Sequence, residues 1–212
     1  MTPRLLIATN NPHKLAEYRD ILAGLPVELA SLVDVGITAD VPETGATFEE
    51  NAVQKAIAYA RLSGLPTLAD DSGLVVDALD GKPGIHSARW GGRETPYPER
   101  HRRLQRLLAD VPWEQRTARF VCVIAIATLG GEVRTVEGVC EGLIAREPRG
   151  AGGFGYDPMF YVPEYDRTMA ELPAEIKNRI SHRGRAGAVA RTLLTSPQGW
   201  SILYPAGRGA VG

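Results

Sequence analysis

Cysteine is scarce in this sequence: the 212 residues include only Cys122 and Cys140. Two cysteines cannot build a disulfide framework, which indicates a reducing compartment, and we expect both to be small buried side chains. Long hydrophobic runs are also missing, because the N-terminal apolar run Leu5–Ala8 is too short for a signal peptide or a membrane span. These deficits predict a cytoplasmic protein without a membrane partner.

The sequence has no surplus of charge of either sign, since 24 Lys and Arg stand against 25 Asp and Glu. Broad nucleic-acid binding needs an excess of basic residues, so we expect no nucleic-acid partner. Three catalytic signatures are absent: the P-loop G-x-x-x-x-G-K-[ST], the hydrolase G-x-S-x-G and the zinc-binding H-E-x-x-H. A hydrophobic share of 44% excludes a wholly disordered chain.

The apolar pattern predicts an α/β fold around a mixed sheet flanked by helices. Leu5–Ala8 is typical of a strand buried on both faces, and Asn11 with Pro12 is typical of the start of a helix. Phe120–Ala127 predicts a central strand that turns at Gly130-Gly131 into a second strand, Val133–Ile144. We assign residues 1–195 to a single domain and leave the tail 196–212 without a structural prediction.

The sequence predicts two further helices, one from the residues at its two ends and the other from its polar face. Thr47 and Glu50 have the spacing of a capping box, and Gly64 is suited to end the helix that they begin. His101, Arg102 and Arg103 fall on the polar face of a later amphipathic helix, which favours a solvated surface.

The segment Thr9, Asn10, Asn11 and Lys14 joins the first strand to the first helix. A helix N-terminus offers backbone N–H groups and a positive dipole end, and Lys14 adds a full charge, so phosphate is the natural ligand. The alternative is that Asn11 only caps the helix and Lys14 is solvated.

Carboxylates form the second candidate group: Glu43, and the pair Asp70-Asp71 in a predicted turn over Asp70–Gly73. Oxygen ligands from a few carboxylates suit Mg²⁺, and a nearby carboxylate could deprotonate a water molecule. The alternative is an ordinary turn in which Asp and Ser bond to the backbone.

The glycine-rich loop at 150–157 contains G-x-G-x-x-G, but no helix is predicted to open in it, which excludes a dinucleotide-binding turn. Phe154 could stack on a base and Asp157 could accept from a base N–H, unless Phe154 is merely packed beside a turn. Lys177, His182 and Arg183 are donors grouped just before a helix predicted at Gly184–Leu194, where the alternative is a solvated basic face.

In combination these motifs resemble the inosine triphosphate pyrophosphatase family from about residue 5 to residue 194. The blocks that carry the resemblance are Thr9-x-Asn11-x-x-Lys14, Glu43-Thr44-Gly45-x-Thr47-Phe48-x-Glu50-Asn51-Ala52, Ala69-Asp70-Asp71-Ser72-Gly73-Leu74, Pro83-Gly84-Ile85-His86-Ser87-Ala88-Arg89, Gly152-Gly153-Phe154-Gly155-Tyr156-Asp157-Pro158 and Lys177-Asn178-x-Ile180-Ser181-His182-Arg183-Gly184.

The resemblance implies a homodimeric, Mg²⁺-dependent hydrolase that splits ITP, dITP and XTP between the α- and β-phosphates and so clears damaged purine nucleotides. It implies an elongated fold of two lobes with the active site in the cleft between them. We keep two alternatives: a pyrophosphatase for modified pyrimidine nucleotides, and a nucleotide-binding module without catalysis.

The resemblance also implies a role for each candidate residue. Phosphate binding falls to Thr9, Asn10, Asn11, Lys14 and Lys55. Glu43 and Asp71 would hold Mg²⁺ and Asp71 would activate water, with Asp70 as the alternative for either role. Contacts to the nucleoside would come from Ser72, Phe154, Gly155, Tyr156, Asp157, Lys177, His182 and Arg183.

Overall fold

Seven strands and five α-helices lie within residues 2–196, the part of the chain that this computed structural model describes. The strands are β1 (Arg4–Ile7), β2 (Glu28–Ser31), β3 (Thr67–Val76), β4 (Thr117–Ala127), β5 (Val133–Ile144), β6 (Phe160–Val162) and β7 (Arg167–Thr168). The helices are α1 (Pro12–Ile21), α2 (Phe48–Ser63), α3 (Tyr97–Leu107), α4 (Ala174–Ile180) and α5 (His182–Thr195). Residues 197–212, nearly all of the segment that we left as a tail, lie outside the described residues.

The strands form one mixed sheet in the order β2-β1-β3-β4-β5-β6-β7, which confirms the predicted α/β class. β1 runs parallel to β2 and β3, whereas β6 runs antiparallel to β5 and β7. Parallel neighbours need crossover connections, and α1 and α2 supply them. The predicted hairpin is present, because Thr128 N–H donates to the Glu132 carbonyl across a tight turn between β4 and β5.

The chain divides into two compact units, each with its own apolar core. Among the described residues the first unit contains 2–71, 123–137 and 186–196, and its core includes Leu6, Ala56 and Ala125. The second unit contains Ser72–Cys122 and Gly138–Arg185, and its core includes Leu74, Phe120 and Phe160. The assignment of residues 1–195 to a single domain stays a prediction.

Strand β3 corrects one prediction, because Thr67–Val76 is one continuous strand without the turn expected at Asp70–Gly73. Both carboxylates are buried and have hydrogen-bonding and ion-pair partners, described below, which override the local turn preference of Asp, Ser and Gly. In the sheet Ile7 is paired with Leu68, β1 ends there, and β3 continues. Asp70 and Asp71 therefore lie just beyond the end of β1, beside the segment that leads into α1.

The ends of α1 and α2 agree with the sequence except in one detail. Asn11 caps α1 with Pro12 as its first residue, and α2 runs from the Thr47 cap to Gly64 at φ +66°. The carboxylate of Glu50, however, accepts from Ala46 N–H at 2.7 Å instead of completing a capping box with Thr47 N–H. The cause is that the preceding loop folds back over the first turn of α2. Among the helices of residues 2–196, none has the length and apolarity needed to cross a bilayer.

Both cysteines are buried, as predicted. Burial raises the pKa of the Cys140 thiol to about 11, so that at neutral pH it stays protonated and unreactive.

Candidate active site

Two lysines and three carboxylates form one charged group in the first unit, the acidic cluster (Lys14, Glu43, Lys55, Asp70 and Asp71). The Lys55 ammonium lies 2.6 Å from Glu43 Oε1 and 3.5 Å from Asp71 Oδ1. The Lys14 ammonium lies 2.9 Å from Asp70 Oδ2. The structure therefore brings together the charged residues predicted to bind phosphate and magnesium, although they come from four separate segments of the chain.

The two adjacent aspartates of the acidic cluster make different contacts, because successive side chains of a strand point to opposite faces. Asp70 pairs with Lys14, whereas Asp71 joins Glu43 around Lys55. The Asp70 and Asp71 side chains are only 2% and 8% exposed. This geometry favours Asp71 over Asp70 as the partner of Glu43, which is the pairing predicted for the magnesium ligands.

Burial and charge act in opposite directions on Asp71 and Lys55. Burial raises the pKa of Asp71 above its ordinary value; Lys55 opposes this shift and Glu43 adds to it. Burial alone would lower the pKa of Lys55, but the charges of Asp71, Asp70 and Glu43 outweigh it and the pKa is raised. The cluster therefore holds Lys55 as a cation and leaves Asp71 a poorly solvated, basic carboxylate, which a further cation would stabilise.

Asn51, for which no role was predicted, completes the surroundings of Asp71. Its fully buried amide donates from Nδ2 to Asp71 Oδ2 at 3.0 Å and accepts the Gly45 N–H at 2.8 Å. This residue thus ties β3 to the loop that carries Glu43. A signal was available, because Asn51 precedes Lys55 by four residues and so shares its side of α2.

The segment before α1 corrects the predicted source of phosphate donors. Asn11 Oδ1 accepts the backbone N–H groups of His13 and Lys14, at 2.9 and 3.3 Å, and Thr9 Oγ1 accepts that of Asn11 at 3.2 Å. The first N–H groups of α1 are thus already paired, as an asparagine cap requires. The candidate phosphate donors in this segment are therefore side chains, the exposed Asn10 and the ammonium of Lys14.

The acidic cluster offers a metal ion two converging carboxylates, Glu43 and Asp71. Within residues 2–196 no group of three or more His, Cys, Asp or Glu side chains could hold one. Glu43 and Asp71 nevertheless direct oxygens at one cation, the Lys55 ammonium. Two carboxylates without nitrogen or sulfur ligands fit Mg²⁺, which is commonly held by one or two carboxylates together with water and substrate phosphates.

In the second unit, residues 152–157 form a tight turn, the aromatic loop. Asp157, which is 4% exposed, accepts the Phe154 N–H at 2.8 Å and the Lys177 ammonium at 2.7 Å, both at Oδ2. The same ammonium lies 4.8 Å from the centre of the Phe154 ring. As expected, no helix opens here beyond a single 3₁₀ turn at Asp157–Met159.

The basic residues that follow are buried, which excludes a solvated face for Lys177, His182 and Arg183. Arg183 donates from Nη2 to Ser72 Oγ at 2.9 Å, and its guanidinium carbon lies 5.6 Å from the centre of the Phe154 ring. The ring of His182 stacks on Phe120 with 4.7 Å between centroids. Lys177 precedes the last helix, as predicted, and belongs to α4. His182 and Arg183 do not precede that helix but begin it, because Ser181 Oγ accepts the Gly184 N–H and places the start of α5 earlier than predicted.

Helix α3 supports the aromatic loop, and here the prediction of a solvated His101 is wrong. His101 is buried, and its Nε2 lies 2.8 Å from the Gly155 carbonyl oxygen. Tyr156, predicted as a substrate contact, is also buried, and its hydroxyl donates to the Ser87 carbonyl at 3.1 Å. The signal for His101 was its spacing, four residues after Tyr97 and three before Leu104, on the apolar stripe of α3.

The surroundings of Gly153 leave no room for a side chain. Its φ of +68° disfavours any side chain, and an added Cβ would overlap the Asp157 carboxylate. Gly36 has a similar φ of +69° but open space around its Cβ position. We expect Gly153→Ala to lower the free energy of unfolding by about 2 kcal/mol more than Gly36→Ala, because only the former adds a clash to the backbone strain of about 1–2 kcal/mol. Urea unfolding of both variants measures the difference, and equal losses would contradict the tight loop.

Comparison with known proteins assigns the family. A sequence model of the Ham1 family matches residues 5–192. A dITP/XTP pyrophosphatase of Geobacter sulfurreducens is 53% identical over 197 residues, which cover 93% of this chain and 97% of that protein. A dITP/XTP pyrophosphatase of Bacillus subtilis is 48% identical over 181 residues, 85% of this chain and 91% of that protein.

Solved structures agree with the sequence matches. A HAM1 protein from Coxiella burnetii superposes with a TM-score of 0.84 at 43% identity and covers 91% of this chain and 98% of its own. The Ham1 protein of Staphylococcus aureus gives a TM-score of 0.81 at 39% identity and covers 90% and 97%. The resemblance inferred from the motifs is confirmed: this chain belongs to the Ham1 family.

Proposed function

We propose that this chain is a Mg²⁺-dependent pyrophosphatase that hydrolyses ITP, dITP and XTP to the nucleoside monophosphate and pyrophosphate. The observation that carries the proposal is the acidic cluster, in which Glu43 and Asp71 converge on the ammonium of Lys55. Such a cluster combines oxygen ligands for a divalent cation with ammonium groups for phosphate. The names of the dITP/XTP pyrophosphatase relatives support the same reaction.

At the phosphate end, Lys14 and Lys55 would contact the triphosphate, and Asn10 would donate from its exposed amide. Glu43 and Asp71 would hold Mg²⁺, which when bound neutralises phosphate charge and makes a bound water easier to deprotonate. Lys55 would exchange part of its contact with the carboxylates for phosphate oxygens. The positive charge of Lys55 would then stay paired with negatively charged oxygens while the substrate binds.

Asp71 is proposed as the general base that accepts a proton from the attacking water. Its Oδ2 is held by Asn51, so the carboxylate is fixed in orientation, and its Oδ1 is directed at the cationic side of the cluster. Burial makes it more basic than an ordinary aspartate. Asp70 is paired with Lys14 and is the alternative base.

At the base end, Phe154 would stack on the purine, and Lys177, His182 and Arg183 would present donors to its edge. Hypoxanthine and xanthine carry an acceptor oxygen at C6, whereas adenine carries an amino donor that would face other donors. A site built on such hydrogen bonds can reject the mismatched base by roughly 10⁴-fold. The burial of Lys177 and Arg183 supports this role, since a desolvated donor discriminates most strongly.

The test is pyrophosphate release with Mg²⁺ across a panel of purine and pyrimidine nucleoside triphosphates. We expect pyrophosphate from ITP, dITP and XTP and almost none from ATP. Orthophosphate as the first product would contradict the proposal. Preference for modified pyrimidine nucleotides would favour the alternative of a pyrimidine nucleotide pyrophosphatase. Tight binding of a nucleotide without turnover would favour a binding module without catalysis. We further propose that the protein is a cytoplasmic homodimer. Gel filtration coupled to light scattering measures its mass in solution.

A further inference from the structure

The aromatic loop is rich in glycine, and its conformation therefore depends on contacts from outside it. Gly152, Gly153 and Gly155 lie within 152–157, and the last two have positive φ values of +68°. Glycine accepts many backbone conformations, so such a segment does not by itself hold Phe154 in one orientation. The neighbouring side chains that bond to this backbone decide which conformation is populated.

The backbone groups of Phe154 and Gly155 bond to different partners. The Phe154 N–H donates to Asp157 within the loop itself. The Phe154 carbonyl likewise accepts the Asp157 N–H, at 3.2 Å. One peptide unit further on, the Gly155 carbonyl lies 2.8 Å from Nε2 of His101, which belongs to α3. A carbonyl oxygen only accepts, so Nε2 carries the proton in this contact. His101 is thus the contact that joins the aromatic loop to a helix at Gly155.

Helix α3 is itself firmly anchored, which makes it a suitable reference for the loop. The buried Arg116 donates from Nη1 to the Leu108 carbonyl at the end of α3, at 2.7 Å. Arg100 donates to the carbonyls of Trp90 and Gly92, both at 3.1 Å. The ring of Tyr97, one turn before His101, packs edge-on against Tyr156 of the aromatic loop itself, with 5.4 Å between centroids, and so adds a second contact between this loop and α3. A donor on this helix therefore holds the loop against a fixed platform.

We propose that His101 is a positioning residue for purine binding: by donating to the Gly155 carbonyl it fixes the aromatic loop in the conformation that presents Phe154 to the base. This inference rests on the proposed function and adds to it a residue outside the predicted site. His101 touches no substrate in this proposal and acts through the backbone of the loop. Its loss should weaken binding of the base and leave the phosphate contacts in the acidic cluster unchanged.

Two variants separate the hydrogen bond from the ring. His101→Phe keeps an aromatic ring beside Tyr97 and Tyr156 but has no donor, whereas His101→Gln keeps an N–H donor and loses the ring. Gln105→Leu is the matched control, since Gln105 also donates from α3 to a backbone carbonyl, that of Arg146 at 3.0 Å, away from the aromatic loop.

The readouts are the Kd of inosine monophosphate by calorimetry, KM and kcat for ITP, inhibition by inorganic tripolyphosphate, and the thermal midpoint. In His101→Phe we expect Kd for the monophosphate and KM for ITP to rise about tenfold, the effect of one lost hydrogen bond. We expect kcat and tripolyphosphate inhibition to stay within about twofold of wild type, since tripolyphosphate has no base. His101→Gln should recover most of the affinity, and Gln105→Leu should match wild type.

An unchanged Kd for inosine monophosphate in His101→Phe would overturn the role of His101. A loss of tripolyphosphate inhibition as large as the loss of monophosphate affinity would also overturn it, because that result indicates general disruption of the protein. If His101→Phe does not fold, His101→Gln decides: wild-type affinity in a variant without the ring supports the donor, and a tenfold loss overturns it. Wild-type protein that releases no pyrophosphate from ITP and binds no inosine monophosphate would instead overturn the proposed function, and the role of His101 with it.

Discussion

Replacing Asp71 by Asn should lower kcat for ITP by at least about a thousandfold, which is within the range of a lost general base. The asparagine keeps the size of the side chain, and its oxygen can still accept from Asn51, which now donates to Asp71 Oδ2 at 3.0 Å. What is lost is the negative charge beside Lys55 and Glu43 and the capacity to take a proton. Pyrophosphate release at saturating Mg²⁺ and ITP measures the effect, and circular dichroism checks that the fold is retained.

The adjacent isosteric variant, Asp70→Asn, is the control for this result. It breaks the ion pair with Lys14, whose ammonium lies 2.9 Å from Asp70 Oδ2. We expect KM to rise more than kcat falls, because Lys14 is assigned to phosphate binding. If Asp71→Asn keeps its turnover while Asp70→Asn loses it, the base is Asp70 and the assignment made from the geometry is wrong.

Lys177→Met should lower the free energy of unfolding by about 3–5 kcal/mol, the loss typical of a buried ion pair broken on one side. The side chains of Lys177 and Asp157 are only 8% and 5% exposed. Without the ammonium at 2.7 Å, the Asp157 carboxylate stays buried without its cation. Urea unfolding of the variant and the wild type measures the loss.

Two further variants show whether the loss comes from the isolated charge. Lys177→Met combined with Asp157→Asn should be more stable than Lys177→Met alone, because the amide carries no charge and its oxygen can still accept the Phe154 N–H. Arg4→Met breaks an exposed pair with Glu28, whose side chain is 60% exposed, and should lose less than about 1 kcal/mol. A double variant no more stable than Lys177→Met would contradict this explanation.

Much of the candidate site could be predicted because its motifs are local. The asparagine cap before α1, the glycine-rich loop before β6 and the acidic pair of β3 are each recognisable within a few neighbouring residues, and residue types with oxygen or ammonium groups limit the ligands they suit. Asn51 and His101 were not assigned roles, since each lies on a helix face whose partners are distant in the chain. Only the fold brings Asn51 to Asp71 and His101 to Gly155.

The sequence alone determined the α/β class, the family and the chemical types of the site residues. Apolar periodicity and short motifs can be recognised from neighbouring residues, without knowing which distant residues are in contact. The tertiary structure decided which charges meet: Lys14 pairs with Asp70 across 56 positions and Arg183 with Ser72 across 111. It also decided that Asp70–Gly73 is strand and that the first N–H groups of α1 are already bonded. Such outcomes depend on sheet register and on the burial of polar groups, and in a buried strand those terms outweigh local preference.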